Sequence, residues 1–212
     1  MKDCRFSPFG YEMFQKGVSK MRFPNPAAIG FLVTAVLICT SADTAHAFIQ
    51  NLFPLQEFID DSDFVFTAVV EKIDPAKPSA VIVVKDSLKG TAPFARIPVN
   101  LTGDKQKHTP QLLKRIAPDV PLIVGVKKQA DGKFLMLAFT NGTWFQVLGQ
   151  TDDGQIRWAF THCEIYLRRT YSGTTEDLRK IIVDVIAGKA KAPPPNPKEP
   201  AGFGPVLKPE SQ

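Results

Sequence analysis

The sequence predicts a mainly β protein: a partly closed antiparallel barrel with a short helix between two strands and an amphipathic helix after the last. Three observations carry this. From Phe48 to about Ile165, runs rich in Val, Ile and Phe alternate with turn residues, the pattern of successive strands. Asn141 and Gly142 separate "FLMLAFT" from "TWFQVL", and Asn-Gly between apolar runs specifies a tight hairpin. Leu178, Ile181, Ile182, Val185 and Ile186 recur at i, i+3, i+4, i+7 and i+8, a single apolar helical stripe.

Taken in order, "PLQEFIDD" opens with a short helix whose Leu55, Phe58 and Ile59 share a face. "SDFVFTAVVEKI" and "SAVIVVKDSLKG" form a strand pair around "DPAKP". Both are apolar on both faces for part of their length, as a sheet must be when it curls around a core and is covered outside. "RIPVNL" is a third strand, with Pro98 pointing to an edge or a bulge because proline has no N–H to donate. "PQLLKRIAP" follows as a short helix carrying Leu112, Leu113 and Ile116 on one side. "PLIVGVKK", the Asn-Gly hairpin and "QIRWAFTHCEI" supply the remaining strands. Thr174 and Asp177 resemble a capping box at the start of the last helix, and Gly188 suits its end. From Ala192, "APPPNPKEPAGFGPVLKPESQ" is dominated by Pro, Gly and charge, which predicts an extended, solvated tail. The expected domains are therefore a signal segment (1–47), a barrel with its C-terminal helix (48–190) and a disordered Pro-rich tail (191–212).

Three strands, a short helix and two further strands follow the order of a five-stranded OB-type barrel, in which the helix plugs one end. "SDFVFTAVVEKI" followed by "VIVVKDSLKG" resembles the opening of the OB-fold domains shared by netrin-like modules and tissue inhibitors of metalloproteinases. The resemblance covers 64 to 128 and implies an OB-like barrel. "TNGTWF", "RWAFTHCE" and "YLRRT" are similar to an uncharacterised family of exported bacterial proteins. The metalloproteinase inhibitors chelate the protease metal through a disulfide-tied cysteine at the mature N-terminus. This chain has no cysteine between Phe48 and Cys163, so the resemblance does not carry that activity.

The N-terminal segment speaks to location. Lys16, Lys20 and Arg22 precede the uncharged run "AIGFLVTAVLICT", which ends in "SADTAHA", with Ala45 and Ala47 as the small residues before a cut at Phe48. That is the layout of a secretory signal peptide. The run is shorter than the ~20 residues a membrane-spanning helix needs. Export to the periplasm or beyond is expected, an N-terminal membrane anchor being the alternative. Of 26 Lys/Arg and 21 Asp/Glu, five and three would leave with residues 1–47, bringing the net charge from +5 to about +3. That excess is too small for a nucleic-acid binder, and no arginine-rich run is present. Cys4 and Cys39 would also leave, so Cys163 could form no intramolecular disulfide.

"THCE" presents His162, Cys163 and Glu164 side by side, which raises a cysteine hydrolase or a metal site. On a regular strand, His162 shares a face with Trp158, Phe160 and Glu164, while Cys163 points the other way. A thiol and its base must lie within hydrogen-bond reach, so His162 cannot activate Cys163; His108 would have to be recruited. His162 and Glu164 could give a metal two ligands, short of the three or four a zinc site uses. No HxH, CxxC or HExxH spacing and no phosphate loop occurs, and no cofactor is implied. Trp144 and Trp158 are candidates for a stacking platform, or are core. Arg168 and Arg169 either grip an anionic ligand or pair with Asp152, Asp153 or Glu164.

The leading function is a non-enzymatic binding module for an unknown protein or small molecule at the cell envelope, using Trp144, Trp158, His162, Glu164, Arg168 and Arg169. The alternatives are a hydrolase or metal-dependent enzyme centred on His162, Cys163 and Glu164, and a membrane-anchored accessory subunit.

Overall fold

The computed structural model describes residues 52–207. The expected signal segment, its cleavage residues Ala45, Ala47 and Phe48, and the last residues 208–212 lie outside the described residues.

Seven strands close into one barrel. They are β1 (Phe64–Asp74), β2 (Ser79–Lys89), β3 (Arg96–Asn100), β4 (Pro121–Lys128), β5 (Phe134–Thr140), β6 (Thr143–Asp152) and β7 (Gln155–Cys163), in the spatial order β1-β2-β3-β7-β6-β5-β4 and back to β1. All neighbours are antiparallel except β3 and β7, which run parallel and pair only at Val99–Trp158 and Asn100–Ala159. The mainly β barrel expected from the sequence is thus present; where a partly closed antiparallel barrel was expected, seven strands close fully through this short parallel seam.

Pro98 explains why the seam is short. Leu101 donates its N–H to the Pro78 carbonyl, toward β2. By the two-residue period of a strand, position 98 therefore faces β7, where proline has no hydrogen to give. The ladder cannot extend past it. Sequence reading placed Pro98 at an edge or bulge; in a closed barrel it marks the nearest thing to an edge.

Side chains alternate across the wall, and both faces are filled. Inside lie Phe66, Val70, Ile82, Ile97, Val124, Met136, Val147 and Phe160, with Leu112 and Ile116 entering from one end. That end is closed by α2 (Thr109–Leu113) and the residues after it. Outside, Val65, Ile123, Phe139 and Trp144 pack under α1 (Leu55–Asp61) and α3 (Thr175–Ile186). Of the two doubly apolar strands predicted from sequence, β1 lies under these helices through Val65, whereas β2 reaches them only near its end through Leu88.

Each helix is anchored by identifiable groups. Thr174 caps α3, accepting from the Asp177 N–H at 3.1 Å and donating to its carboxylate at 2.7 Å. Gly188 follows with φ 68° as the left-handed terminator. Leu178 and Ile182 are fully buried, and together contribute about 3–6 kcal/mol of apolar transfer. Ile186 remains exposed, so the stripe is narrower than its spacing suggested. At α1, the Lys89 ammonium donates to the carbonyls of Ile59, Asp60 and Ser62 at 2.7, 2.9 and 2.7 Å, which satisfies acceptors the short helix leaves open. Gly90 then turns with φ 64°, where a Cβ would lie 2.5 Å from the Asp63 carbonyl. The "LKG" sequence is in this way a fastening between β2 and α1.

The C-terminal segment is not the solvated, disordered tail that its composition predicted. Residues 192–207 return across the barrel. Asn196 donates to the Arg169 carbonyl at 2.7 Å, Gly202 to Ile165 at 3.0 Å, Gly204 to the Thr143 hydroxyl at 2.9 Å and Leu207 to Lys114 at 3.0 Å. Gly204 is buried, and a Cβ there would meet the Asn141 carbonyl at 2.1 Å. Proline-rich backbone needs few internal hydrogen bonds, so a handful of external ones suffices to lay it down as a strap.

Candidate functional site

The "THCE" segment departs from a regular strand. Gln146 pairs with His162 and Val147 with Phe160, leaving Thr161 as an extra residue in β7. The bulge is held by Thr161, whose hydroxyl receives the Gln146 side-chain amide at 3.0 Å and donates to the Gln146 carbonyl at 3.2 Å. A bulge reverses the inward–outward alternation beyond it. Cys163 therefore joins Trp158 and Phe160 in the barrel interior, and His162 is displaced outward. Sequence reading assigned the two to the opposite faces. Its conclusion that His162 and Cys163 point apart still holds, because both switch together.

His162 Nε2 lies 2.7 Å from Glu164 Oε1, both side chains partly buried. Cys163 is 2 % exposed, and burial, with Asp104 nearby, pushes its thiol up to about 12. Such a thiol supplies almost no thiolate at neutral pH. His108 does approach, but its Nδ1 is occupied in accepting the Cys163 backbone N–H at 3.1 Å. This joins β7 to the barrel plug instead of activating sulfur. Among the described residues, no three His, Cys, Asp or Glu side chains converge as metal ligands.

Arg168 and Arg169 hold the C-terminal strap. Arg168 contacts Glu199 at 2.5 Å and donates to the Phe203 carbonyl at 3.2 Å. Arg169 donates to the Glu199 carbonyl at 3.2 Å and lies 5.8 Å from the Tyr166 ring centroid. The acidic partner of Arg168 is thus Glu199, which sequence reading did not consider. A short 3-10 turn, Ile165–Arg169, aims both side chains.

The two tryptophans lie in different clusters and make no joint platform. Trp144 is outside the barrel wall under α1 and α3, edge-on to Phe58 at 5.3 Å and donating its indole N–H to Tyr171 at 2.9 Å. Trp158 is inside, with Phe94 at 5.3 Å and Phe134 at 5.8 Å. Gly149 makes room for it, since a Cβ there would come within 2.7 Å of the indole.

Of the six proposed ligand-binding residues, Trp158 borders a sizeable cavity. A groove of about 790 Å³ runs along the β3/β7 seam, between the β1–β2 turn and the start of β7. Val81, Pro98, Ile156 and Ala159 form its apolar wall; Lys77 and Arg157 stand at its rim, with Asn100 and Thr102 as polar groups. No helix residue lines it. α1 and α3 pack on the outer face of β1, β4, β5 and β6, whereas among the described residues no helix packs on this face. Arg157 pairs with Asp152 at 2.8 Å, both well exposed. Asn100, the first residue of an Asn-x-Thr sequence, instead turns its side chain onto Thr102. Sequence reading missed the groove because its walls come from segments far apart in the chain. The one available signal was a proline within an otherwise regular strand.

The groove offers apolar contact with a cationic rim and a few hydrogen-bonding groups. Its lining residues include no histidine, cysteine or acidic side chain. No protein-family model, curated protein or solved structure matches this chain.

Proposed function

We propose that this chain is an exported, non-enzymatic binding module whose ligand occupies the β3/β7 groove. The groove itself is the observation that carries this reading: a concave, mostly apolar surface on a barrel face that, among the described residues, no helix lines. Lys77 and Arg157 at the rim favour an apolar body bearing an acidic group. Pro98 removes the donor with which β3 would pair an added strand, so the grip comes from apolar packing and charge. The reading of export rests on the signal-like segment before Phe48. The enzyme alternative finds no support in a buried thiol with a raised pKa and a histidine already engaged by a backbone N–H.

The test is a fluorescence titration with anilinonaphthalene sulfonate, which has an apolar ring system and one negative charge. Saturable binding to the native protein is expected, weakened about tenfold by Val81→Glu, which places a charge on the wall. Lys77→Glu should weaken it by a smaller factor. Unchanged affinity in Val81→Glu, or no saturable binding by the native protein, would defeat the proposal. Intact mass of the secreted chain, expected to begin at Phe48, checks export separately.

A further inference from the structure

We propose a second ligand site, independent of the seam groove: a cavity between the start of α3 and the C-terminal strap that binds a small carboxylate through Arg115 and Thr140. The cavity measures about 330 Å³ and is bordered by Arg115, Thr140, Asn141, Thr174 and the strap residues Pro205–Leu207. That volume is about ten waters' worth, the size of a short organic acid.

Two observations point to an occupant. Thr140 is 1 % exposed, and its hydroxyl has no hydrogen-bond partner. Buried hydroxyls are nearly always satisfied, so an orphan beside a cavity marks a place where a polar atom is expected. The second is the state of Arg115. Its Nε donates to the Gly204 carbonyl at 2.7 Å, and Nη1 to the Gln111 carbonyl at 2.7 Å and Gln111 Oε1 at 3.0 Å. Its guanidinium stacks on Phe203 at 4.9 Å. These contacts fix the group in place and leave Nη2 without a hydrogen bond. Among the described residues, no carboxylate lies within ion-pair distance of Arg115. Partial burial lowers its pKa, as expected of a cation whose charge is not locally balanced.

The chemistry of the surroundings selects the ligand. Asn141 is committed to α3, its side-chain oxygen accepting from the Thr175 N–H at 3.1 Å and hydroxyl at 3.2 Å. Thr174 is engaged with Asp177. Glu176 and Asp177 occupy the first turn of α3 and oppose its dipole, so the helix adds little attraction for an anion. A single unbalanced guanidinium, the orphan Thr140 hydroxyl, the Ser172 hydroxyl and the apolar strap residues Pro205, Val206 and Leu207 match a monoanion with a short hydrocarbon chain. A multiply charged phosphate would meet too little positive charge.

Amide chemical shifts followed during titration with sodium acetate, sodium butyrate and sodium chloride test this in the full chain. Saturable shifts at Asn141, Gly173 and Leu207 are expected with both carboxylates, tighter for butyrate, and none with chloride. Thr140→Val keeps the shape and removes only the orphan hydroxyl. It should weaken butyrate about tenfold while leaving thermal stability equal or higher. Arg115→Gln should abolish the shifts. Because Arg115 also holds the strap, the Thr140→Val result decides if that variant unfolds. Butyrate binding unchanged in Thr140→Val, or no saturable shift in the native protein, would overturn the proposal.

Discussion

The strap makes a demand that its composition conceals: residues 192–207 should contribute measurably to stability. Phe203 is the sharpest probe. Its half-buried ring lies against the Arg115 guanidinium at 4.9 Å and edge-on to His108 at 5.4 Å, and it packs on the barrel core. Replacing a fully buried Phe by Ala costs about 3–5 kcal/mol. At half burial about 2 kcal/mol is expected, with a further ~0.5–1 kcal/mol from the lost cation–ring attraction. In a domain of this size each kcal/mol moves the melting midpoint by roughly 2–4 °C. Phe203→Ala should therefore melt about 5–10 °C lower, by calorimetry or far-ultraviolet circular dichroism. Ending the chain at Lys191 should cost more, because it also removes Glu199 from Arg168 and Gly204 from Thr143. Val206→Ala, at a side chain half exposed on the same segment, serves as the control and should change little. Coincident melts for the native and shortened chains would show that the strap is not docked in solution.

Further outcomes follow from the packing. Lys89→Met should lose about 2 kcal/mol in urea unfolding, since it strands three carbonyls at the end of α1. Gly125→Ala should cost about 1–3 kcal/mol, because its Cβ would fall 2.5 Å from the Phe58 ring and 2.6 Å from Ser62 Oγ. Cys163 should react with a maleimide only at the rate of global opening. Its thiol ionises near 12 in the folded chain and near 9 when unfolded, so the unfolded state sheds the proton first. Its stabilising contribution is intact below pH 9 and falls between 9 and 12; the stability gap between native and Cys163→Ala should narrow across that window. A gap that widens, or a thiol that reacts within seconds at neutral pH, would contradict this.

The barrel was legible wherever local rules dominate. Strand alternation, the Asn141-Gly142 turn and the Thr174 cap depend on neighbours within a few residues, and each appears where its residues predicted. What escaped were features decided across the sheet. The bulge at Thr161 is set by the hydrogen bonds to Gln146 on the facing strand, and it transposed His162 and Cys163. The strap was read as solvated because Pro and Gly dominate it. Its docking depends on Phe203, Glu199 and Gly204 finding Arg115, Arg168 and Thr143, all remote in sequence. The groove needed the strand order itself, since β3 and β7 adjoin only once the barrel closes.

Pro98 has one more consequence, for how this molecule behaves in a crowd. A cylinder fastened at one side by two residue pairs will part there before anywhere else, becoming for a moment a curled ribbon with two raw margins. Raw margins recruit identical chains into fibrils. Along one of these margins the imino acid interrupts the row of donors, so a visiting molecule cannot zip onto it. The residue that weakens the fastening also makes its accidental opening safe.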